Sequence, residues 1–318
     1  MSEAVARSEA PLLLTGASGF LGAWIVRRAV EQGWRLVACD RVDDRRRFLQ
    51  IADDLPGAGR ADWPEVDWRR VDVTEADALA ALVAAIRPRA IIHLAALQIP
   101  ACADDPRLGA RVNVEGHVNV FEAARQAGAI PVVYASSIAA KPRGPDNCPA
   151  NLYGIYKQAG EGIARLYWRH HGVPSIGLRP YVVYGVGRDQ GETSAFTAAM
   201  QAAAEGRPFE LPFRGEFCFQ YAADVADRFL GCANALRDGA LVSDLTAELH
   251  PVEALCDAIL AAIPNARITV RDVLRPGPEG GFDTAPLDAV LGLRDTTPLK
   301  RGVSETIAAF LHLATPAT

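Results

Sequence analysis

"PLLLTGASGFLGAWIVRRAVEQG", residues 11–33, joins a short apolar run to a helical pattern through a loop that contains Gly16, Gly19 and Gly22. The apolar run is typical of a buried strand, and the second half has the spacing of a helix that ends at Gly33. Glycine lets the backbone turn tightly and approach a phosphate, and the start of a helix presents free N–H groups. The stretch therefore predicts a strand–turn–helix unit that binds a diphosphate, although a purely structural turn also favours glycine.

The same alternation of short apolar runs and helical patterns continues to about residue 180. Strands are predicted at 35–40, 66–73, 90–96, 130–137 and 174–185, and helices at 76–88, 109–128 and 153–171. Strands separated by helices of ten or more residues indicate right-handed crossovers and a parallel sheet covered on both faces. The predicted fold class is therefore α/β, a doubly wound, Rossmann-like parallel sheet with a smaller C-terminal lobe.

Composition excludes several classes of protein. Half of the residues are hydrophobic, 22% are charged and the formal net charge is −5, so no nucleic-acid partner is expected. The densest basic run, 45–47, follows two aspartates and is predicted to be a solvated loop. Six scattered cysteines without a CxxC pair indicate reduced thiols and no metal site, and no stretch is apolar enough to span a membrane. A cytoplasmic location is expected.

An acidic residue follows the glycine loop at the distance that dinucleotide binding requires. Asp40 ends the second predicted strand, about 20 residues on, where a carboxylate accepts the ribose hydroxyls of NAD. Its charge repels a 2′-phosphate, so NAD is expected in preference to NADP, although Arg41 can soften that preference. Asp72, at the end of the third predicted strand, either reaches the adenine edge or is a carboxylate at the N-terminus of the next helix.

A tyrosine, a lysine and a serine form the predicted catalytic site. Tyr153 and Lys157 are four residues apart, on one face of a predicted helix, in a chain with three lysines. A nearby ammonium favours the phenolate, so Lys157 is expected to lower the pKa of Tyr153 and make it a proton-transfer group. Ser137 ends a strand at the carboxyl edge of the sheet, where its hydroxyl can bond the same substrate oxygen.

These motifs together resemble the extended short-chain dehydrogenase/reductases, the NAD-dependent epimerase/dehydratase family, over nearly the entire chain. The motifs that carry the resemblance are TGASGFLG at 15–22, DV at 72–73, HLAA at 93–96, NVEG at 113–116, SS at 136–137, YGIYK at 153–157, LRPYVVYG at 178–185 and YAADVA at 221–226. Since the regular alternation ends after about residue 180, three parts are predicted: a flexible tail at 1–10, an NAD-binding domain at 11–180, and a smaller substrate-binding lobe at 181–318 that is intertwined with the last sheet strands.

The resemblance also assigns roles to single positions. It implies an NAD site formed by Gly16, Ser18, Gly19, Phe20, Leu21, Asp40, Arg41, Asp72, Val73, Leu94, Ala95, Ala96, Gln98, Asn113, Tyr153, Lys157 and Pro180. Within this set, Asn113 is expected to brace the site, and Lys157 to hold the nicotinamide ribose. The substrate is expected to contact Ser137, Ile138, Val182, Thr193 and Arg214. A homodimer is implied through the helices near 108–127 and 153, whose small residues include Ala123, Ala124, Ala127, Gly160 and Ala164.

Three departures from the family pattern narrow the reaction. Ile138 and Ala139 stand where dehydratases carry Asp and Glu, so dehydration is not expected. Nucleotide-sugar epimerases carry Asn in place of Val182 and a phosphate-binding Arg in place of Phe217. A buried phosphate without a cation is costly, so Arg188 and Arg214 either replace that arginine or are solvated.

Three functions remain open from the sequence. The first is an NAD-dependent oxidoreductase that transfers hydride between NAD and a carbinol or keto carbon of a small sugar-like or sugar-acid substrate. The second is a nucleotide-sugar 4-epimerase with tightly bound NAD, and the third is a non-catalytic NAD-sensing protein. A sensor has little need of Ser137, Tyr153 and Lys157 together, which favours an enzyme.

Overall fold

The computed structural model describes residues 10–52, 66–143, 145–278 and 280–314. Its strands are β1 (Leu12–Thr15), β2 (Leu36–Asp40), β3 (Val66–Arg70), β4 (Ala90–His93), β5 (Val132–Ala135), β6 (Ser175–Arg179), β7 (Val182–Tyr184), β8 (Phe209–Leu211), β9 (Glu216–Phe217), β10 (Phe219–Tyr221), β11 (Ala240–Asp244), β12 (His250–Pro251) and β13 (Ile268–Val270). Its α-helices are α1 (Phe20–Glu31), α2 (Arg46–Ile51), α3 (Ala76–Ile86), α4 (Ile99–Asp104), α5 (Pro106–Ala110), α6 (Gly116–Gln126), α7 (Leu152–His171), α8 (Ala195–Ala204), α9 (Ala222–Ala235), α10 (Val252–Ala262), α11 (Ala285–Leu291) and α12 (Leu299–Ala314).

Seven strands form one sheet in the order β11-β6-β5-β4-β1-β2-β3, and every neighbouring pair is parallel. The chain moves outward from β1 to β3, then returns to β4 and moves outward in the other direction. Ligands of such sheets bind at the carboxyl ends of the strands, where the direction reverses between β1 and β4. The predicted doubly wound fold is confirmed.

Alternate residues of the central strand face two separate cores. Leu12 and Leu14 pack on one side of the sheet with α1 and α9, whereas Leu13 packs on the other side with α3 and α6. All three leucines are fully buried. A strand covered on both faces reads as a continuous apolar run, which is why this one carries no alternating pattern.

The strand predicted at 174–185 is divided into two strands in the structure. Residues 174–185 divide into β6, which belongs to the main sheet, and β7, which pairs with β10. Pro180 lies between them, and proline has no N–H to donate to a sheet ladder. The break turns the chain out of the sheet, directly above the end of β5.

The predicted helix at 109–128 is interrupted. Residues Arg111–Glu115 form a π-helical turn between α5 and α6. Such turns re-aim one side chain of a helix and often occur at functional sites. The turn contains Asn113, whose side chain points back towards the end of β4.

Residues after 180 contribute to both the sheet and a smaller lobe. Strand β11 completes the sheet beside β6, and α9 packs against α1. Strands β8 with β13, and β9 with β12, form two small pairs outside it. The first nine residues of the expected tail lie outside the described residues. Within the part that is described, no helix is long and apolar enough to cross a membrane.

The basic run at 45–47 is not the solvated loop that was predicted. Helix α2 begins inside it, and only Arg46 is largely exposed. Arg47 forms an ion pair with Asp189 at 2.8 Å and donates to Ser18 O at 3.2 Å. This arginine therefore joins the glycine loop to a loop of the C-terminal half.

Candidate active site

A cleft of about 530 Å³ opens at the carboxyl ends of the sheet strands. The glycine loop and the start of α7 both line it. Most of the predicted site residues line it, namely Gly16, Gly19, Phe20, Leu21, Asp40, Arg41, Asp72, Val73, Leu94, Ala95, Ala96, Gln98, Ser137, Ile138, Tyr153, Lys157, Pro180 and Thr193. Residues far apart in the sequence are thus brought into one site.

The glycine loop is tight enough to require its glycines. Gly16 has φ +78°, and a Cβ on Gly22 would lie 2.2 Å from Gly16 O. Helix α1 starts at Phe20 with no side-chain cap and no acidic residue in its first turn. Its free N–H groups and positive dipole end therefore face the cleft, as a diphosphate requires. The loop fits the cofactor that the sequence implies.

Asp40 connects the glycine loop to the end of β2. Its carboxylate accepts from Ser18 N at 3.0 Å and from Arg41 N at 2.8 Å. Burial raises the pKa of this carboxyl, and the backbone donors oppose that rise. Asp40 lines the cleft, where its oxygens can accept from ribose hydroxyls. Asp72 also lines the cleft but accepts from Thr74 N and Oγ1, both at 2.9 Å.

Close packing fixes Tyr153 against Ser137. Asn151 caps α7 by accepting from Gly154 N at 2.9 Å, and a Cβ on Gly154 would lie 2.2 Å from Ala139 O. Only glycine lets the start of α7 lie so close to the short 3-10 turn after Ser137. The Ser137 hydroxyl accepts from Ala139 N at 3.1 Å and lies close enough to the Tyr153 phenol to oppose the rise of its pKa. The serine and tyrosine thus present their hydroxyls to one place in the cleft.

Lys157 lies one turn after Tyr153 on α7. Its ammonium donates to Ala135 O at 2.6 Å and lies 5.6 Å from the centre of the Tyr153 ring. Burial lowers the pKa of Lys157 to about 8, because charge is disfavoured away from water.

The expected lowering of the Tyr153 pKa by Lys157 is not observed among the groups of the protein. Burial dominates and raises the pKa of the phenol, while the bond to Ser137 and the charge of Arg188 oppose it. The reason is geometric. The lysine is bonded to a backbone carbonyl at the end of β5, so its charge is not directed at the phenol oxygen.

Two sets of buried polar side chains lie behind the cleft residues, namely Asn113 and the histidines His93 and His117. Asn113 accepts from Leu97 N at 2.7 Å and donates to Leu97 O at 3.0 Å, so it braces the loop after β4. His93 and His117 are buried beneath Lys157 with rings 5.3 Å apart. Burial lowers the pKa of His117 to about 3 and that of His93 well below its usual value, so both are neutral.

Four predicted residues do not line the cleft. Ser18 and Asn113 act behind it, through the bonds described above. Val182 is fully buried in β7, because its strand pairs with β10 and faces the core. Arg214 lies in a neighbouring pocket and pairs with Asp272. Val182 and Arg214 are therefore not brought together with Ser137 and Tyr153 in this cleft.

The structure adds cleft residues that sequence reasoning missed. They include Arg143, Asn151, Tyr181, Glu192 and Arg275. Asn151 had a signal, since asparagine is a common helix cap. The others lie in irregular segments, where spacing predicts no direction for a side chain.

Comparison with known proteins agrees with this geometry. Residues 12–242 match the model of the NAD dependent epimerase/dehydratase family. A UDP-glucose 4-epimerase of Mycolicibacterium smegmatis is 30% identical over 317 residues, which cover 94% of this chain and 97% of that protein.

Two solved structures share the fold. UDP-glucose 4-epimerase of Thermus thermophilus, in complex with NAD, has a TM-score of 0.74 and 24% identity, covering 94% of this chain and 98% of that one. L-threonine dehydrogenase of Clostridium difficile has a TM-score of 0.79 and 18% identity, covering 96% and 99%. The fold thus serves both epimerases and dehydrogenases. On the family match and the full-length relative, this chain belongs to the NAD-dependent epimerase/dehydratase family and is an enzyme of that kind.

Proposed function

We propose that the chain is an NAD-dependent oxidoreductase that transfers a hydride between NAD and a carbinol or keto carbon of a small sugar-like or sugar-acid substrate. The observation that carries the proposal is that Ser137, Tyr153 and Lys157 line the same cleft as the glycine loop. The proton-handling groups and the expected cofactor site therefore share a single space.

Oxidation of an alcohol removes a hydride from carbon and a proton from oxygen. NAD, when bound, supplies the nicotinamide ring that exchanges the hydride. The Tyr153 phenol exchanges the proton with the substrate oxygen, and the Ser137 hydroxyl holds that oxygen by a hydrogen bond. Since burial raises the pKa of Tyr153, the phenol is protonated at neutral pH and is prepared to give its proton to a carbonyl. In the oxidation direction, Arg188 supplies the positive charge that favours the phenolate.

NAD in preference to NADP is part of the proposal. The Asp40 carboxylate lies at the end of β2 within the cleft and is held by two backbone donors. A 2′-phosphate placed there meets a like charge in a partly buried position, which is unfavourable. Arg41 also lines the cleft and reduces the difference.

The 4-epimerase is the second candidate, because a full-length relative of 30% identity is a UDP-glucose 4-epimerase. Packing disfavours it. Phe217, which replaces the expected phosphate-binding arginine, is fully buried among Phe196, Phe213 and Phe219. Such a cluster offers no donor to a diphosphate and is costly to open.

Cofactor turnover separates the two candidates. Purified enzyme with excess NAD is incubated with a panel of C4–C6 aldoses, alditols, aldonates and uronates, and with UDP-glucose and UDP-glucuronate. Absorbance at 340 nm measures NADH, and chromatography measures isomerisation. We expect NADH in equal amount to product from a small substrate. Isomerisation of a nucleotide sugar without NADH identifies the epimerase instead. If no compound gives NADH or is isomerised, the proposal is contradicted.

Two further properties are proposed, a cytoplasmic location and a homodimer. A cytoplasmic location agrees with the six cysteines, all free thiols. A homodimer through the α6 and α7 region cannot use Ala123, Ala124, Gly160 or Ala164, since these pack inside the chain, with Gly160 against His117. The apolar candidates that remain are Ala127 and the exposed side chains Leu108, Leu152, Ile155 and Leu166 on α5 and α7. Light scattering during gel filtration measures the mass.

A further inference from the structure

Arg188 is a cleft residue that forms no ion pair with the other residues that the structure describes. It follows β7, and its guanidinium lies 5.7 Å from the centre of the Phe20 ring. Nη2 donates to Thr193 Oγ1 at 3.2 Å. Nε is buried, and among the described residues it has no hydrogen-bond partner. A buried donor without a partner is expensive, so it calls for an explanation.

The nearby carboxylates are already engaged. Asp189, the next residue, pairs with Arg47 at 2.8 Å. Glu192, across the same loop, pairs with Arg275 at 2.5 Å. Neither forms an ion pair with Arg188 in the part of the chain that the structure describes. An arginine is always ionised, and partial burial of its charge without a counter-ion is unfavourable. A bound anion is the simplest compensation.

The position of Arg188 indicates whether the bound anion belongs to the cofactor or to the substrate. The free N–H groups at the start of α1 already provide a site for the cofactor diphosphate. Arg188 also lies near enough to Tyr153 for its charge to act on the phenol, and it donates to Thr193, another residue that lines the cleft. An anion bound there lies next to the reacting oxygen.

We propose that Arg188, together with Thr193, binds a carboxylate of the substrate, so that the enzyme acts on a sugar acid in preference to the corresponding neutral sugar. This inference rests on the proposed function and selects among its substrates. A guanidinium edge presents two parallel N–H donors, which match the two oxygens of a carboxylate. The unpartnered Nε and its neighbouring Nη2 form such an edge.

Binding of carboxylates tests the inference without a known substrate. With saturating NADH and constant ionic strength, thermal unfolding is followed for the wild type, Arg188→Met, Arg188→Lys and the control Arg271→Met, whose exposed arginine pairs with Glu210. The probes are D-glucuronate, D-galacturonate and D-gluconate, with D-glucose, D-galactose and D-glucitol as neutral counterparts. At least one acid is expected to raise the unfolding temperature of the wild type and the control. Arg188→Met is expected to lose that shift and Arg188→Lys to keep part of it. No shift with any of the three acids overturns the inference.

Turnover and cofactor binding distinguish the sources of the anion. For an acid that yields NADH, Arg188→Met is expected to lower kcat/KM by about 100-fold, mainly through KM, because a buried charge pair is lost. The dissociation constant of NAD is expected to change less than about threefold. If NAD binding instead weakens tenfold and the acid effect persists, Arg188 serves the cofactor phosphates and the inference is wrong. Equal turnover of neutral sugars overturns it too but leaves the proposed function intact, whereas no NADH from any compound removes both.

Discussion

The Lys157 ammonium lies 5.6 Å from the centre of the Tyr153 ring, one helical turn away, and gives its hydrogen bond to Ala135 O. The lysine is therefore fixed by the end of β5 and not by the tyrosine. Its pKa is lowered to about 8 because it is buried. The charged ammonium is therefore less stable in the folded protein than in water. Such a group is retained for function at a cost in stability.

Replacement of Lys157 is expected to separate stability from activity. Below about pH 8 both the folded and the unfolded chain bind the lysine proton, so the penalty is fully present at pH 7 and is relieved as the pH rises towards 10.5. Lys157→Met should thus raise the free energy of unfolding at pH 7 by on the order of 1 kcal/mol, and less at pH 10. Hydride transfer should fall at least 100-fold. Urea unfolding and NADH formation measure the two effects, with Lys300→Met as the exposed control. A variant that is less stable at pH 7 contradicts this interpretation.

The glycine loop makes a steric prediction. A Cβ on Gly22 meets Gly16 O at 2.2 Å, and backbone atoms cannot move aside without distorting the loop. Gly22→Ala is expected to lose about 1–3 kcal/mol of stability and to bind NAD at least tenfold more weakly. Gly162→Ala is the matched control, because its Cβ has no atom within 4 Å and helical alanine is favoured by about 0.5–1 kcal/mol. Equal NAD affinity in the two variants would remove the steric argument.

The NAD preference is attributed to the charge of Asp40. Asp40→Asn keeps the side-chain shape and one acceptor for the Ser18 N–H but removes the negative charge. We expect wild-type protein to bind NAD more tightly than NADP, and the variant to reduce the ratio of affinities about tenfold or more. Fluorescence titration with each cofactor measures this ratio, and Asp43→Asn, at an exposed ion pair, is the control. Tighter binding of NADP by the wild type contradicts the assignment.

The buried histidines predict sensitivity to acid. His117 has a folded pKa of about 3, so the unfolded chain binds more protons between about pH 6.5 and pH 3 and stability falls as the pH falls through that window. Within this window, each histidine that stays neutral in the folded chain lowers the free energy of unfolding by about 1.4 kcal/mol for each unit that the pH falls. His117→Asn should lower the slope measured by urea unfolding between pH 6.5 and 5, and the exposed His312→Asn should not. If the free energy of unfolding falls with pH at the same rate in the wild type and in His117→Asn, this explanation is wrong.

Features that depend on a strand end were predictable. Asp40 and Ser137 follow apolar runs, and parallel strands bring their carboxyl ends to one edge. Tyr153 and Lys157 were predictable because helical spacing alone places them on one face. Arg188, Glu192 and Arg275 were not placed, because their directions depend on loop contacts with the opposite half of the cleft.

The break at Pro180 and the π-helical turn at 111–115 were missed for a different reason. Both interrupt a pattern that continues across them in the sequence, so hydrophobic spacing shows no boundary. Both are needed at the site: the break carries β7 and its following loop over the cleft, and the turn aims Asn113 at Leu97. The Tyr153 pKa was also misjudged, because the sequence shows neither burial nor the carbonyl that engages Lys157.

The central claim is that the Tyr153 phenol handles the proton of hydride transfer. Its most direct test is NADH formation by Tyr153→Phe on a substrate that the wild type oxidises, with NAD affinity measured alongside. Loss of a proton-transfer group predicts a fall in kcat of about 10²–10⁴-fold with NAD affinity nearly unchanged. Turnover by Tyr153→Phe at the wild-type rate contradicts the claim.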